Sequence, residues 1–324
     1  MNVWKTSAGF AVAMMMTAGF LATASAQHGI QSGNSLIPES SIEHPGDIGV
    51  RPHTNIRILN IGSKASVGFH PMGGLGPGGG FTPTQIRSFY NLPAAGGSQI
   101  IAIIDAYDDP NALGDFNKFS AQFGLAQETS SSVTSSTNKV FQVIYAGGVQ
   151  PATDSTGGWE LEESLDIEWA HAMAPNAKIV LVEAASNSYV NLFAAVQTAT
   201  GYTDGNGKTV NEIAMSWSGS EFSSETMFDP DLDVSGPTFF GSSGDSGAGA
   251  NYPSVSPYVV SLGGTTVTTN NSGNFVSEAG WANSGGGPSA YETRPAYQNG
   301  ISSIVGGNRG TPDIAFDAYY NTGV

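Results

Sequence analysis

Two acidic side chains spaced four residues apart, Glu162 and Asp166, and a third in a glycine-rich turn, Asp245, are the residues whose types and spacing best suit chemistry. The first pair lies in ELEESLDIEWAHAMA (160–174), which reads as a helix ended by Pro175. A spacing of four puts both carboxyls on one helix face, with Cβ atoms about 5–6 Å apart. Carboxyls that close resist ionising together, so they share a proton and one titrates late. Such a pair suits general-base work on a hydroxyl in acid. It equally suits a solvated acidic helix face, and spacing alone leaves both readings open.

Asp245 belongs to SSGDSGAGANYPS (242–254), directly after the apolar PTFFGSS (237–243). At the carboxyl end of a strand, a protonated Asp can donate a hydrogen bond to a developing oxyanion. An Asp-Ser-Gly turn is the plainer reading. The string Gly-Asp-Ser-Gly also suggests Ser246 as the nucleophile of an all-β serine peptidase. The alternating elements of this chain argue against that. His171, the one histidine of the region, sits in mid-helix and is expected to be a packing or surface residue.

The elements that must position these groups alternate. SQIIAIIDA (98–106), KVFQVIYA (139–146), AKIVLVEA (177–184), NEIAMSWS (211–218), PTFFGSS (237–243) and YVVSLGG (258–264) read as strands, most of them apolar throughout. Residues 111–124, 160–174 and 189–200 read as helices between them. The pattern predicts an α/β fold, a mostly parallel sheet covered by helices on both faces. Ligands then bind beyond the carboxyl ends of the strands, where Asp105 ends the first of them.

Composition narrows the partners. Lys and Arg total 11 against 27 Asp and Glu, a formal net charge of −16, so nucleic acid is excluded as a partner. A surplus of carboxylates is compatible with work at low pH, where many carry protons. Cysteine is absent, which removes disulfides, thiolate metal ligands and a thiol nucleophile. Residues 1–26 read as a signal peptide: Lys5, an apolar stretch, then Ala24-Ser25-Ala26. No later segment is apolar enough for a membrane anchor, so the expected location is secreted or periplasmic. Residues 27–80 read as a short leader without sustained periodicity, closed by the glycine-rich joint GFHPMGGLGPGGG (68–80). No strand precedes those glycines and no Gly-Lys-Ser/Thr follows, so they are not read as a phosphate cradle.

Five motifs occur in order: ELEESLDIEWAHAMAPNAKI, AMSWSG (214–219), SSGDSGAG (242–249), YVVSLGGT (258–265) and GTPDIAFDA (310–318). Together they resemble the sedolisin family of serine-carboxyl peptidases, and FTPTQIRSFYNLP (81–93) resembles the opening of its catalytic domain. The resemblance covers 81–324 and implies a subtilisin-like fold and acid endopeptidase activity on protein or peptide substrates, as a monomer. It implies that Glu162 is the general base, Asp166 the residue linked to it and Asp245 the oxyanion donor. Ser216, Trp217, Ser218 and Gly219 then form the strand that pairs with an extended substrate, and Asp105 supports the network around Glu162. The family's Gly-Thr-Ser nucleophile segment does not occur in this sequence, and its calcium ligands lie in the same C-terminal portion, so no metal or cofactor site is expected here. The expectation is a peptidase domain truncated by a split reading frame, with a leader shorter than the family's usual propeptide. The rival expectation is a non-catalytic peptide-binding pseudopeptidase.

Overall fold

The computed structural model describes residues 29–32, 35–59, 74–76, 79–93, 96–320 and 322. The expected signal peptide, and the glycine-rich joint except for 74–76, 79 and 80, lie outside them. In chain order the strands are β1 (Gly29–Ser32), β2 (Ser35–Pro38), β3 (His53–Thr54), β4 (Ile58–Leu59), β5 (Ile100–Ala106), β6 (Phe141–Tyr145), β7 (Lys178–Ala184), β8 (Glu212–Met215), β9 (Trp217–Ser220), β10 (Thr238–Ser242), β11 (Asn251–Tyr252), β12 (Val259–Thr269), β13 (Phe275–Gly280), β14 (Gly287–Thr293), β15 (Asn308–Thr311) and β16 (Ile314–Asp317). The main helices are α1 (Pro83–Phe89), α2 (Ala112–Phe123), α3 (Gly158–Met173) and α4 (Tyr189–Thr200).

Eight strands form the central sheet, in the order β13-β12-β10-β8-β5-β7-β6, with β16 also paired to β12. Its pairs are parallel except β12 with β13. All seven residues of β7 are buried, as a strand covered on both faces requires. Alternate residues serve opposite layers. Ala102, Ile104, Val180 and Val182 pack under Leu192, Phe193 and Val196 of α4. Ile103, Ile179 and Leu181 pack with Phe116 of α2 and Ile167 of α3. Each large aliphatic so buried contributes about 1.5–3 kcal/mol.

Helix ends follow from local chemistry. Thr82 and Gln85 form a capping box at α1, with Pro83 in its first turn. The Ser188 hydroxyl accepts the Asn191 N–H at the start of α4. At α3 the cap comes from outside the helix: Asp154 Oδ2 accepts from the Gly158 and Trp159 N–H groups at 3.1 and 3.3 Å. Glu160 returns the bond by accepting the Asp154 N–H at 2.9 Å. His171 is fully buried, its Nε2 bonded to the Ala126 carbonyl at 2.9 Å and its ring against Phe116.

Two elements differ from the sequence expectation. The apolar run through 211–218 breaks at Ser216: β8 stays in the sheet, while β9 turns out of it to pair with β11 and β3. The leader, read as unpatterned, is folded onto the domain. β2 pairs with β1 and β4, and β3 lies antiparallel on β9 with His53 opposite Ser218 and Thr54 opposite Trp217. Strands of two to four residues leave no periodic signature.

Candidate active site

The packing of α3 decides which of its acids meet water. Ile167 and His171 bury one stripe, and that places Glu162 and Glu163 at 3 % and 0 % exposure. The solvated-face reading of this helix therefore fails for Glu162. Asp166 keeps some open surface, yet its Oδ2 is closed off from solvent without a hydrogen-bond partner. Its other interaction is with Ser216, whose hydroxyl donates to it from the break between β8 and β9.

Glu162, Asp166 and Asp245 share one electrostatic neighbourhood. Burial first, then the charges of Asp166 and Asp245, drive the Glu162 pKa well above the ordinary carboxylate range; the Asn55 main-chain N–H, donating to it, pulls the other way. Burial raises Asp166 to about 6, against the Ser216 hydroxyl. Burial raises Asp245 to about 7, against the nearby Arg57 guanidinium. Asp105 is fully buried opposite Glu183 in the sheet, and burial followed by Asp166, Glu162 and Glu183 raises its pKa strongly. Neither of its carboxyl oxygens has a hydrogen-bond partner among the described residues. Asp166 and Glu162 thus reach Asp105 through their charges rather than through a hydrogen bond.

The loop that carries Asp245 is pinned on both sides. Gly285 donates its N–H to the Gly244 carbonyl, Gly247 donates to the Asn283 carbonyl, and Asn251 Nδ2 donates to the Ser243 carbonyl at 2.7 Å. Gly244 has φ +94°, and a Cβ there would stand 2.6 Å from Asn251 Nδ2, so glycine is required.

β9 is held from behind and covered in front. Trp217 is fully buried and its Nε1 donates to the Ile104 carbonyl at 2.8 Å. At Gly219 a Cβ would lie 2.7 Å from the Tyr189 hydroxyl and 3.1 Å from Glu43 Oε1. The covering segment is residues 38–57 of the chain itself. Glu43 accepts from the Ser220 N–H and hydroxyl at 2.7 and 2.5 Å. Asn55 Nδ2 donates to the Ser242 and Ser218 hydroxyls at 3.0 and 3.3 Å. Beside this segment a cavity of about 360 Å³ is lined by His44, His53, Tyr107, Trp159 and Asn187, among others.

The structure thus gathers Glu162, Asp166, Asp245 and Asp105 with Ser216, Trp217, Ser218 and Gly219. Asn55, Arg57 and Glu43 also belong to the site. They were missed because no motif surrounds them, and the antiparallel pairing that brings them in spans more than a hundred residues.

No family model matches the chain. It is 25 % identical over 277 residues to sedolisin of Pseudomonas sp. (strain 101) and 29 % identical over 276 residues to kumamolisin of Bacillus sp. (strain MN-32), each alignment covering 75 % of this chain. Xanthomonalisin of Xanthomonas sp. (strain T-22) is 27 % identical over 303 residues. The solved structure of Pseudomonas sedolisin, a serine-carboxyl proteinase complexed with two molecules of pseudo-iodotyrostatin, superposes with a TM-score of 0.61 at 25 % identity, over 75 % of this chain and 72 % of that one. The chain resembles the sedolisin family in both sequence and fold. The chain spans 45 %, 47 % and 34 % of the lengths of these three relatives. Among the described residues no group of three or more His, Asp or Glu side chains is placed to hold a metal ion.

Proposed function

We propose that the chain carries the acid–base and peptide-binding parts of an exported serine-carboxyl endopeptidase that works in acid. The observation supporting this most directly is β3 lying antiparallel on β9 and leading the Asn55 N–H onto Glu162. The groove takes an extended main chain, as strand-addition sites do. The acidic group that would act on a scissile bond sits where that main chain passes.

In this reading the serine hydroxyl comes from a Gly-Thr-Ser segment outside this sequence. Its oxygen attacks the scissile carbonyl while its proton passes to Glu162, and Glu162 then returns that proton to the departing amine. Water hydrolyses the acyl-enzyme by the same route. Asp166, raised to about 6, gives up its proton before Glu162 does, so above about pH 6 the pair holds a single shared proton and Glu162 retains basicity. Asp245, protonated below about 7, donates to the tetrahedral oxyanion. Activity then falls on the alkaline side as Asp245 loses its proton and on the acid side as the pair takes up a second one. Export rests on the signal-like residues 1–26; no described helix is long and apolar enough to cross a membrane.

The test is complementation. The chain is extended with the Gly-Thr-Ser segment of a relative and assayed on a denatured protein across pH. Hydrolysis is expected in acid, with Glu162→Gln and Asp245→Ala each lowering kcat on the order of 10²–10³-fold. Unchanged turnover in either variant refutes the assignment. Peptide binding by the extended chain without turnover favours the pseudopeptidase reading.

A further inference from the structure

Three of the six lysines in this sequence, Lys139, Lys178 and Lys208, meet at the end of the sheet away from the carboxylates. They line a cavity of about 400 Å³. Lys178 is opposite Ile100 where β7 and β5 begin, whereas Asp105 lies five residues further along β5, about 17 Å at the rise of a strand. The cavity is therefore separate from the candidate active site.

Its polar groups are unevenly matched. Lys178 is 7 % exposed, and its Nζ donates to Gln142 Oε1 at 2.7 Å and the Tyr202 hydroxyl at 2.8 Å. An ammonium has three N–H donors, and the third has no acceptor among the described residues. Lys139 and Lys208 stand exposed at the rim. The one acid in the lining, Asp204, is engaged in its own turn. Its Oδ1 accepts the Asn206 and Lys208 N–H groups, both at 2.8 Å, and its Oδ2 accepts Asn206 Nδ2 at 3.3 Å. Glu128 nearby is similarly occupied by the N–H groups of Lys139 and Val140 at 2.9 and 3.0 Å. Asn138 is 4 % exposed; its Nδ2 donates to the Ser132 and Val133 carbonyls, while its Oδ1 is buried with no donor. A buried acceptor left unpaired is costly, and a ligand hydroxyl relieves it.

We propose that this cavity binds a small hydroxylated polyanion, its acid groups on the three lysines and its hydroxyl on Asn138 Oδ1. Hydrogen phosphate and hydroxy-polycarboxylates share that chemistry. Three cations face two carboxylates already engaged, Asp204 in the lining and Glu128 nearby, which leaves a local surplus of positive charge on a chain of net −16, so the anion is drawn to this spot and repelled elsewhere.

Calorimetric titration of the full chain with citrate, phosphate and sulfate, in mildly acidic buffer at fixed ionic strength, tests it. Phosphate and citrate are each expected to bind one-to-one, and phosphate more tightly than sulfate. Sulfate carries more charge than phosphate there but no hydroxyl, so charge alone would reverse that order. Tighter citrate identifies the polycarboxylate source and tighter phosphate the phosphate source. Lys139→Ala combined with Lys208→Ala, both exposed positions, should weaken binding roughly tenfold with an unchanged melting temperature. The charge-reversed pair Lys139→Glu and Lys208→Glu should abolish it. No saturable heat with either ligand, equal affinity in the alanine pair and the parent, or sulfate binding as tightly as phosphate overturns the proposal.

Discussion

At Glu162 several influences act on a single proton. Removal from water and the charges of Asp166 and Asp245 favour keeping it; the Asn55 N–H favours releasing it. The partners of this carboxyl are therefore adjustable controls. Removing the Arg57 cation should raise Asp245 above about 7, by roughly half a pH unit for a pair reached partly through solvent. Carbon-detected NMR titration of Arg57→Ala checks this, and a downward shift would contradict the placement of Arg57 beside Asp245. Ser216→Ala should move Asp166 upward from about 6, because the hydroxyl that stabilises its anion is gone. The Glu162–Asp166 pairing could be read from a spacing of four in one helix. The burial of Glu162 could not, since it depends on which stripe of α3 the sheet accepts, and Glu163, fully buried beside it, carries no sequence mark at all.

At the scale of elements, the apolar runs at 98–106 and 177–184 and the helix at 189–200 were legible to within two residues, because each is long and locally consistent. The leader was not legible, since β3 exists only through its long-range partner β9. Its anchor is the Glu43 carboxylate on Ser220. Glu43→Ala should leave the domain folded while the amides of Ser218 and Ser220 lose hydrogen-exchange protection and peptide affinity rises. Protection equal to the parent would show that β3 holds without that anchor. Asp154→Ala removes the external cap of α3 and should lower stability by about 1 kcal/mol, read by denaturant unfolding.

For the molecule as a whole, the buried acids set the direction of the pH dependence. Asp109 and Asp166 are raised to about 6, Asp245, Glu160 and Glu292 to about 7, Glu168 and Glu225 to about 8, and Glu183 to about 9, each chiefly by burial. An acid whose folded pKa exceeds its unfolded value adds stability that is complete below the unfolded value, near 4, and is lost as pH rises through the folded one. The melting temperature should therefore be highest in acid and fall from about pH 4 to about pH 9. A melting temperature that rises over that range would mean these carboxyls are not buried as described. Apolar side chains also stand open along β13 and β16, where Phe275, Val276, Ile314 and Phe316 are 44 %, 57 %, 44 % and 43 % exposed.

Because β3 and β9 belong to one polypeptide, their pairing is unimolecular, and an outside peptide meets a competitor tethered at an effective concentration of about millimolar order. Dilution does not weaken that competitor. Affinities measured on the intact chain would understate what the groove can hold, and a single backbone cut between β3 and the domain would turn a permanent occupant into one that can diffuse away.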